Sequence, residues 1–173
     1  MNNWIKLKLS SAPLEILDGD RGKNYPKQNE LSETGDCLFL SARNVTSNGF
    51  SFTDTSFISY EKDRLLGKGK LIRNDIILTT RGTVGNVAFY STKIPFDDIR
   101  INSGMVIIRP NVREMTPEFT YYLFISLEEE FEIFGSGSAQ PQLPIRDLEQ
   151  ISFFLPPLPE QKAIAGVLSS LDD

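Results

Sequence analysis

From Leu155 onward the chain reads LPPLPEQKAIAGVLSSLDD, and this passage restricts the fold more than any other. Pro156 and Pro157 fix φ and remove two amide donors, so neither can sit inside a helix or a central strand. Pro159 suits the first turn of a helix, and Glu160 beside it places a carboxylate at the positive end. The passage therefore predicts a strand that ends at the prolines and a helix that starts near Pro159. Along that helix Ile164, Val167, Leu168 and Leu171 recur at spacings of three, four and seven, an apolar seam on one side. A seam of about three turns does not hold a lasting coiled coil alone. The expectation is a helix that folds back on its own domain or pairs with a second chain.

Upstream, hydrophobic patterning predicts an α+β fold, an irregular and mostly antiparallel twisted sheet with a few helices. One domain over residues 1–155 is followed by a proline hinge and the helix over 156–173. Strand-type runs fall at 37–42, 57–60, 75–80, 85–91, 104–109 and 151–155, each bounded by Gly, Asn, Asp or Pro. Near the N-terminus a strand-like WIKLKL precedes a short helix over 11–17, with Pro13 in its first turn. Residues 18–34 read as loop. The segment TPEFTYYLFISLEEEFEIF reads as one helix with Thr116 as N-cap and Pro117 at its first position. It buries Phe119, Tyr122, Leu123, Leu127, Phe131 and Phe134. The glycines from Gly135 stop it, and a single turn over 144–148 precedes the last strand.

Composition removes several kinds of chemistry. The sequence has no histidine, so Ser-His-Asp catalysis and most zinc sites are excluded. Its one cysteine, Cys37, lies in an apolar run and reads as a buried strand residue with no base to activate it. No apolar run approaches the ~20 residues of a membrane span, and no signal-peptide pattern opens the chain, so the expected location is cytoplasmic. The net charge of −5 is unevenly distributed. Residues 1–113 carry 16 basic and 12 acidic side chains, whereas residues 114–173 carry 2 and 11. Such an asymmetry suits a chain that meets phosphates on one face and protein on another, and equally suits ordinary solvated surfaces.

Several polar constellations stand out. GDRGKNYPK places Arg21, Lys23, Asn24, Tyr25 and Lys27 in a glycine-punctuated loop. Arg and Lys neutralise phosphates or donate to guanine, Asn pairs with adenine, and Tyr offers a stacking face; the competing reading is a solvated loop. TTRGTVGNVAFY reads as a hairpin whose glycines, Gly82 and Gly85, take positive φ and present Arg81, Thr83 and Asn86 at its end. Those residues suit phosphate contact, or are simply the architecture of a turn. Lys62, Arg64, Lys68, Lys70 and Arg73 form either a phosphate track or a solvated face. Arg100, Asn102, Gln140 and Gln142 are polar groups at element ends that either touch bases or cap the chain.

Three apparent enzyme motifs fail on context. Glu160-Gln161-Lys162 with Asp147 imitates a nuclease triad, but Glu160 belongs to a helix start and not to a central strand. Pro156-Pro157 lacks the Asp or Asn and the aromatic residue that an adenine methyltransferase motif needs. Gly135-Ser136-Gly137 lacks a third glycine and a preceding strand.

The motifs in their order carry a resemblance. GDRGKNYPK, LSARNV, KGKLIRNDIILTTRGTVGNVAFY, IRINSGMVIIRP, QPQLPIRDLEQI and LPPLPEQKAIA resemble the succession found in specificity subunits of type I restriction-modification systems. The resemblance spans nearly the whole chain, although a full subunit has two recognition domains and two coiled-coil helices where this chain has one domain and one helix start. It implies a non-catalytic target recognition domain that binds double-stranded DNA, reading half of a split target. It adds Arg43 and Asn44 of LSARNV to the DNA-binding candidates. The implied partners are the methyltransferase and restriction subunits, with self-association through Ile164, Val167, Leu168 and Leu171. The chain itself would need no cofactor, S-adenosylmethionine, ATP and Mg²⁺ belonging to the partners. The rival readings are an interaction scaffold that no longer reads DNA and a small stand-alone nuclease.

Overall fold

The computed structural model describes residues 3–135 and 141–172. In chain order the elements are β1 (Ile5–Lys8), β2 (Leu14–Asp18), β3 (Cys37–Leu40), β4 (Val45–Thr46), β5 (Gly49–Phe50), β6 (Phe57–Ile58) and α1 (Tyr60–Leu65). There follow β7 (Ile76–Thr79), β8 (Val87–Phe89), β9 (Ile99–Ile101), β10 (Met105–Pro110), α2 (Pro117–Ser126), α3 (Glu128–Gly135), α4 (Ile145–Leu148), β11 (Ser152–Leu155) and α5 (Leu158–Asp172). The architecture is α+β, as the patterning predicts.

The centre is an antiparallel sheet in the order β2-β10-β7-β8. Strands β7 and β10 are covered on both faces, which is why IILT and MVIIRP are continuous apolar runs and not alternating ones. Side chains leave them alternately to two cores. Ile76, Leu78, Val106 and Ile108 pack with Phe119, Phe124 and Phe131 on the helical side. Ile77, Met105 and Ile107 pack with Leu38, Leu40, Ile99 and Ile101 of a second sheet, ordered β6-β3-β9. Within that sheet β3 and β9 run parallel, the exception to the antiparallel rule. The far face of β3 makes a small third core from Cys37, Phe39, Ile58 and Leu66. Each fully buried aliphatic side chain contributes roughly 1.5–3 kcal/mol, so β7 and β10 anchor the fold.

Two expected helices differ. Only Ser11 of residues 11–17 is helical, closing a single 3-10 turn over Leu9–Ser11; the rest enter β2, which pairs with β10 from Leu14 opposite Pro110 to Asp18 opposite Val106. Leu14 and Ile16 face the first core and Leu17 the second, a period of two that outweighs the helix-start signal of Pro13. The long helix begins as expected, with Thr116 accepting from the Phe119 amide, but it divides at Leu127. Glu128, Glu129 and Glu130 then occupy the first turn of α3, where the helix dipole favours carboxylates. The division leaves Phe131 buried and Phe134 exposed. Tyr60, expected to end a strand, opens α1 because Ser59 caps it by accepting from the Lys62 amide.

Helix α5 lies along the domain for its first turns. The buried Gln161 side chain donates to the carbonyls of Pro156 and Glu114 and accepts from the Thr116 amide. Ala165 is buried and Ile164 packs on the helical-side core. The apolar seam is therefore split, since Val167 and Leu171 remain 63% and 76% exposed.

Helix α1 is held by an ionic knot. Asp63 accepts from Arg100 Nε through one carboxylate oxygen and from Lys70 Nζ, at 2.8 Å, through the other. Arg100 is buried, and its remaining donors go to the carbonyls of Lys68, Asp63 and Leu66. Burial pushes the Asp63 carboxyl up, but the hydrogen bonds from Lys70 and Arg100 outweigh it and hold it below its ordinary value. A carboxyl depressed in the folded state stabilises the fold above the ordinary carboxylate range, and that contribution is lost as pH falls through the folded value. Replacing Asp63 by Asn should cost about 3 kcal/mol at neutral pH, because Arg100 loses its buried counter-charge. In urea unfolding at a series of pH values, the gap between variant and wild type should narrow once pH drops below about 4. A gap independent of pH would show that the knot is not electrostatic.

Candidate nucleic-acid interface

Antiparallel pairing brings the polar motifs together. Asp18 lies opposite Val106, Met105 opposite Thr79 and Leu78 opposite Val87, so β2 and β7 end where β10 and β8 begin. The loops after β2, between β7 and β8, and before β10 thus emerge at one end of the central sheet. They are packed backbone against backbone. A Cβ on Gly19 would fall 2.3 Å from the Asn102 carbonyl oxygen. Gly69, at φ +82°, lies against both Gly19 and the Ile101 carbonyl, so a side chain there is strained by conformation and tightly crowded. The amides of Thr80 and Arg81 both donate to the Gly104 carbonyl. Residue 142 adds a bridge to Arg81, and the Leu143 amide bonds the Thr80 carbonyl.

Asp20 ties the first loop to the segment after α1. Its carboxylate accepts from the amides of Gly22 and Gly67 at 2.7 and 2.8 Å. The Gly22 amide, with those of Gly67 and Lys68 and the nearby charge of Arg100, holds Asp20 below the ordinary carboxylate range despite opposing desolvation. Sequence reading did not select Asp20, though an Asp two residues before a glycine is a recognisable turn signal. Asn24 completes the tie by donating to the Leu65 carbonyl at 3.1 Å.

On this rim the exposed Arg21 bonds Asp18 and the Ser103 carbonyl, at 3.0 and 3.2 Å. Arg21, Arg81 and Gln142 line one open cleft of about 210 Å³ with Asp18, Thr80 and Pro144. Lys23 and Lys68 are exposed on the loops joined by Asp20, and neither ammonium has an ion-pair partner among the described residues. Thr83 is exposed at the hairpin end, where Gly82 and Gly85 both have the positive φ expected of them. Lys27 is exposed further along the first loop, and Tyr25 is half-buried with its ring edge-on to Phe39.

Most of the other sequence candidates are committed to internal contacts. Arg100 is spent in the Asp63 knot, and Lys70 pairs with Asp63 and Asp98. Asn44 is buried, accepting from Ser41 and donating to the carbonyls of Ser51 and Asp54. Asn86 donates to the Val45 carbonyl, and Asn102 caps its own turn by accepting from the Gly104 amide. Arg43 is exposed, facing Asp54 at 3.7 Å. The charge run over 62–73 is no continuous track: Lys62 pairs with Glu30, and Arg73 clamps the carbonyls of Ser91, Ile94 and Phe96. Gln140 lies outside the described residues. Cys37 is buried in β3, its thiol pushed up to about 12 by burial, so it stays protonated and unreactive. Among the described residues no helix is long and apolar enough to cross a membrane.

Residues 14–173 match the family model for the type I restriction modification DNA specificity domain. The chain is 33% identical over 99 residues to the putative type I restriction enzyme MjaX specificity subunit of Methanocaldococcus jannaschii, a match covering 57% of this chain and 22% of that protein. It is 24% identical over 177 residues to the type I restriction enzyme HindI specificity subunit of Haemophilus influenzae, covering 100% of this chain and 36% of that one. The chain thus spans about a third or less of these relatives. The S subunit of a type I restriction-modification system from M. genitalium has a similar fold, with a TM-score of 0.68 at 19% identity, covering 99% of this chain and 39% of that one.

The rim depends on loops that only glycine can bring into contact. Gly19→Ala should therefore lower the melting temperature, because the new Cβ meets a backbone carbonyl that cannot swing aside. Gly82→Ala should cost less, since open space surrounds that position and only its positive φ resists. Thermal unfolding of both variants checks the order, and a less stable Gly82→Ala would contradict the packing described.

Proposed function

The chain belongs to the type I restriction-modification DNA specificity domain family, and on that premise we propose that it is a target recognition module that binds double-stranded DNA. It reads one half of a bipartite target and positions an adenine methyltransferase subunit and a restriction subunit there, in the cytoplasm. It does no chemistry itself. S-adenosylmethionine, ATP and Mg²⁺ act in the partner subunits.

The observation that carries this reading is the convergence of Arg21, Lys23, Lys68, Arg81 and Gln142 on one rim built from four separate loops. The close packing of these loops holds their tips together as one surface. Arginine and lysine supply phosphate contacts, while the glutamine amide suits an adenine edge. Glu128 of α3 lines a separate small depression with Ser47, Gly85 and Asn86 on the other side of the hairpin, so phosphates are attracted to the Arg21 and Lys68 side and repelled past the hairpin. The exposed Val167 and Leu171 of α5 supply an apolar strip for a partner helix.

Selection from a pool of random duplexes at several salt concentrations tests the proposal. The chain should enrich a short motif and lose affinity as salt rises, because each neutralised phosphate releases counterions. Absence of enrichment with a flat salt response would favour an interaction scaffold instead. Arg81→Ala should weaken binding roughly tenfold with an unchanged melting temperature, as removal of one charged contact does. Unchanged affinity with a lowered melting temperature would make Arg81 an architectural residue.

A further inference from the structure

Helix α1 carries an exposed face that the fold does not use. Its residues divide sharply by environment. Lys62 and Asp63 point inward, to Glu30 and to the Arg100 knot, and Leu66 just beyond the helix is buried. Tyr60, Glu61, Arg64 and Leu65 point outward. Two of these are large hydrophobic residues with no share in any core, Tyr60 at 57% and Leu65 at 58% exposure. Arg64 has no carboxylate partner among the described residues; its guanidinium lies 5.6 Å from the Tyr60 ring centroid, the ring holding it in place.

This face adjoins the rim described above. The Leu65 carbonyl accepts from Asn24, and Gly67, two residues on, donates to Asp20, so α1 ends where the GDRGKNYPK loop and Lys68 begin. The composition of the face fits base edges better than phosphates. A pure phosphate contact needs cations alone, and Glu61 in the middle of the arc would repel the backbone. Base edges present donors, acceptors and the thymine methyl, which match Glu61, Arg64 and Leu65 respectively. An isolated six-residue helix is unstable in water, so the inward-facing Asp63 and Lys62 ion pairs fix it in place before any ligand arrives.

We infer that the outer face of α1 enters the major groove of duplex DNA, with Arg64 and Leu65 as specificity-determining residues and the Tyr60 ring orienting the Arg64 guanidinium. The rim cations Lys23 and Lys68 lie on the flanking loops and hold the backbone. This assignment rests on the DNA-reading proposal and adds to it which element chooses the bases.

Selection from random duplexes with wild type, Arg64→Ala, Arg64→Lys and Leu65→Ala separates the possibilities. Both positions changed, 64 and 65, are exposed, and circular dichroism verifies that each of the three variants is folded. Arg64→Lys is the decisive variant, because it keeps the charge and loses the planar fork. It should abolish preference at one or two positions of the motif, a loss of roughly tenfold or more in discrimination. Its salt slope should stay that of wild type. Leu65→Ala should relax preference at a neighbouring position. If Arg64→Lys retains the full motif, or Arg64→Ala weakens all sequences uniformly, α1 is a backbone contact and the inference is overturned while DNA reading stands. If the wild type itself enriches no motif, the DNA-reading proposal falls and this inference with it.

Discussion

The half-buried carboxylate of Asp63, shared by Arg100 and Lys70, is the interaction on which the loop end of the central sheet depends. It joins residues 37 positions apart in sequence, fastening α1 to β9 and to the segment that precedes β7. Most of the donors of Arg100 go to backbone carbonyls where α1 ends, those of Asp63, Leu66 and Lys68, of which the Asp63 carbonyl also accepts from the Leu66 amide. A hydrophobic replacement could fill the volume, but it could not satisfy those carbonyls. A charged pair thus stands where an apolar one would pack more cheaply, because the chain turns there without a sheet to receive its hydrogen bonds.

Around that knot, the sheet acts as a collector. Four antiparallel strands send alternate side chains to two cores and their loops to one end. The loops carry charge that the cores could not tolerate, and glycines at positions 19 and 69 let their backbones touch. The consequence is a rim in which Arg21, Arg81 and Gln142 share a cleft although they lie far apart in sequence. Internal pairing also decides which cations are available. Lys62, Lys70, Arg73 and Arg100 are committed to structure, whereas Lys23, Arg64 and Lys68 are among those that have no ion-pair partner among the described residues.

The opposite polarity belongs to the C-terminal third. The carboxylates of Glu128, Glu129 and Glu130 serve first as the opening turn of α3. Helix α5 is seated by Gln161, whose amide bonds three backbone groups around the turn into α2 and the proline pair. This buried amide settles the direction in which the helix leaves the prolines. It also divides the apolar seam, giving Ile164 to the domain and leaving Val167 and Leu171 outside.

Where physics is local, sequence was sufficient. The prolines at 156 and 157 had to end a strand, Pro159 had to open a helix, Thr116 had to cap one, and Gly82 with Gly85 had to make a turn, since φ limits and cap chemistry act within a few residues. The motif order carried the family, and the two-sided burial of β7 and β10 was legible as unbroken apolar runs. What sequence could not settle was partnership across distance. LEILD became β2 because β10 was available to pair with it, against a nearby helix signal. Arg100 and Arg64 are chemically the same side chain, and nothing local separates them. One is buried because Asp63 and three carbonyls surround it, and the other stands in solvent because the helix that carries it is held by its opposite face. Desolvation and hydrogen-bond satisfaction are properties of the assembled chain, so only tertiary structure decided which charges belong to the fold and which to the surface.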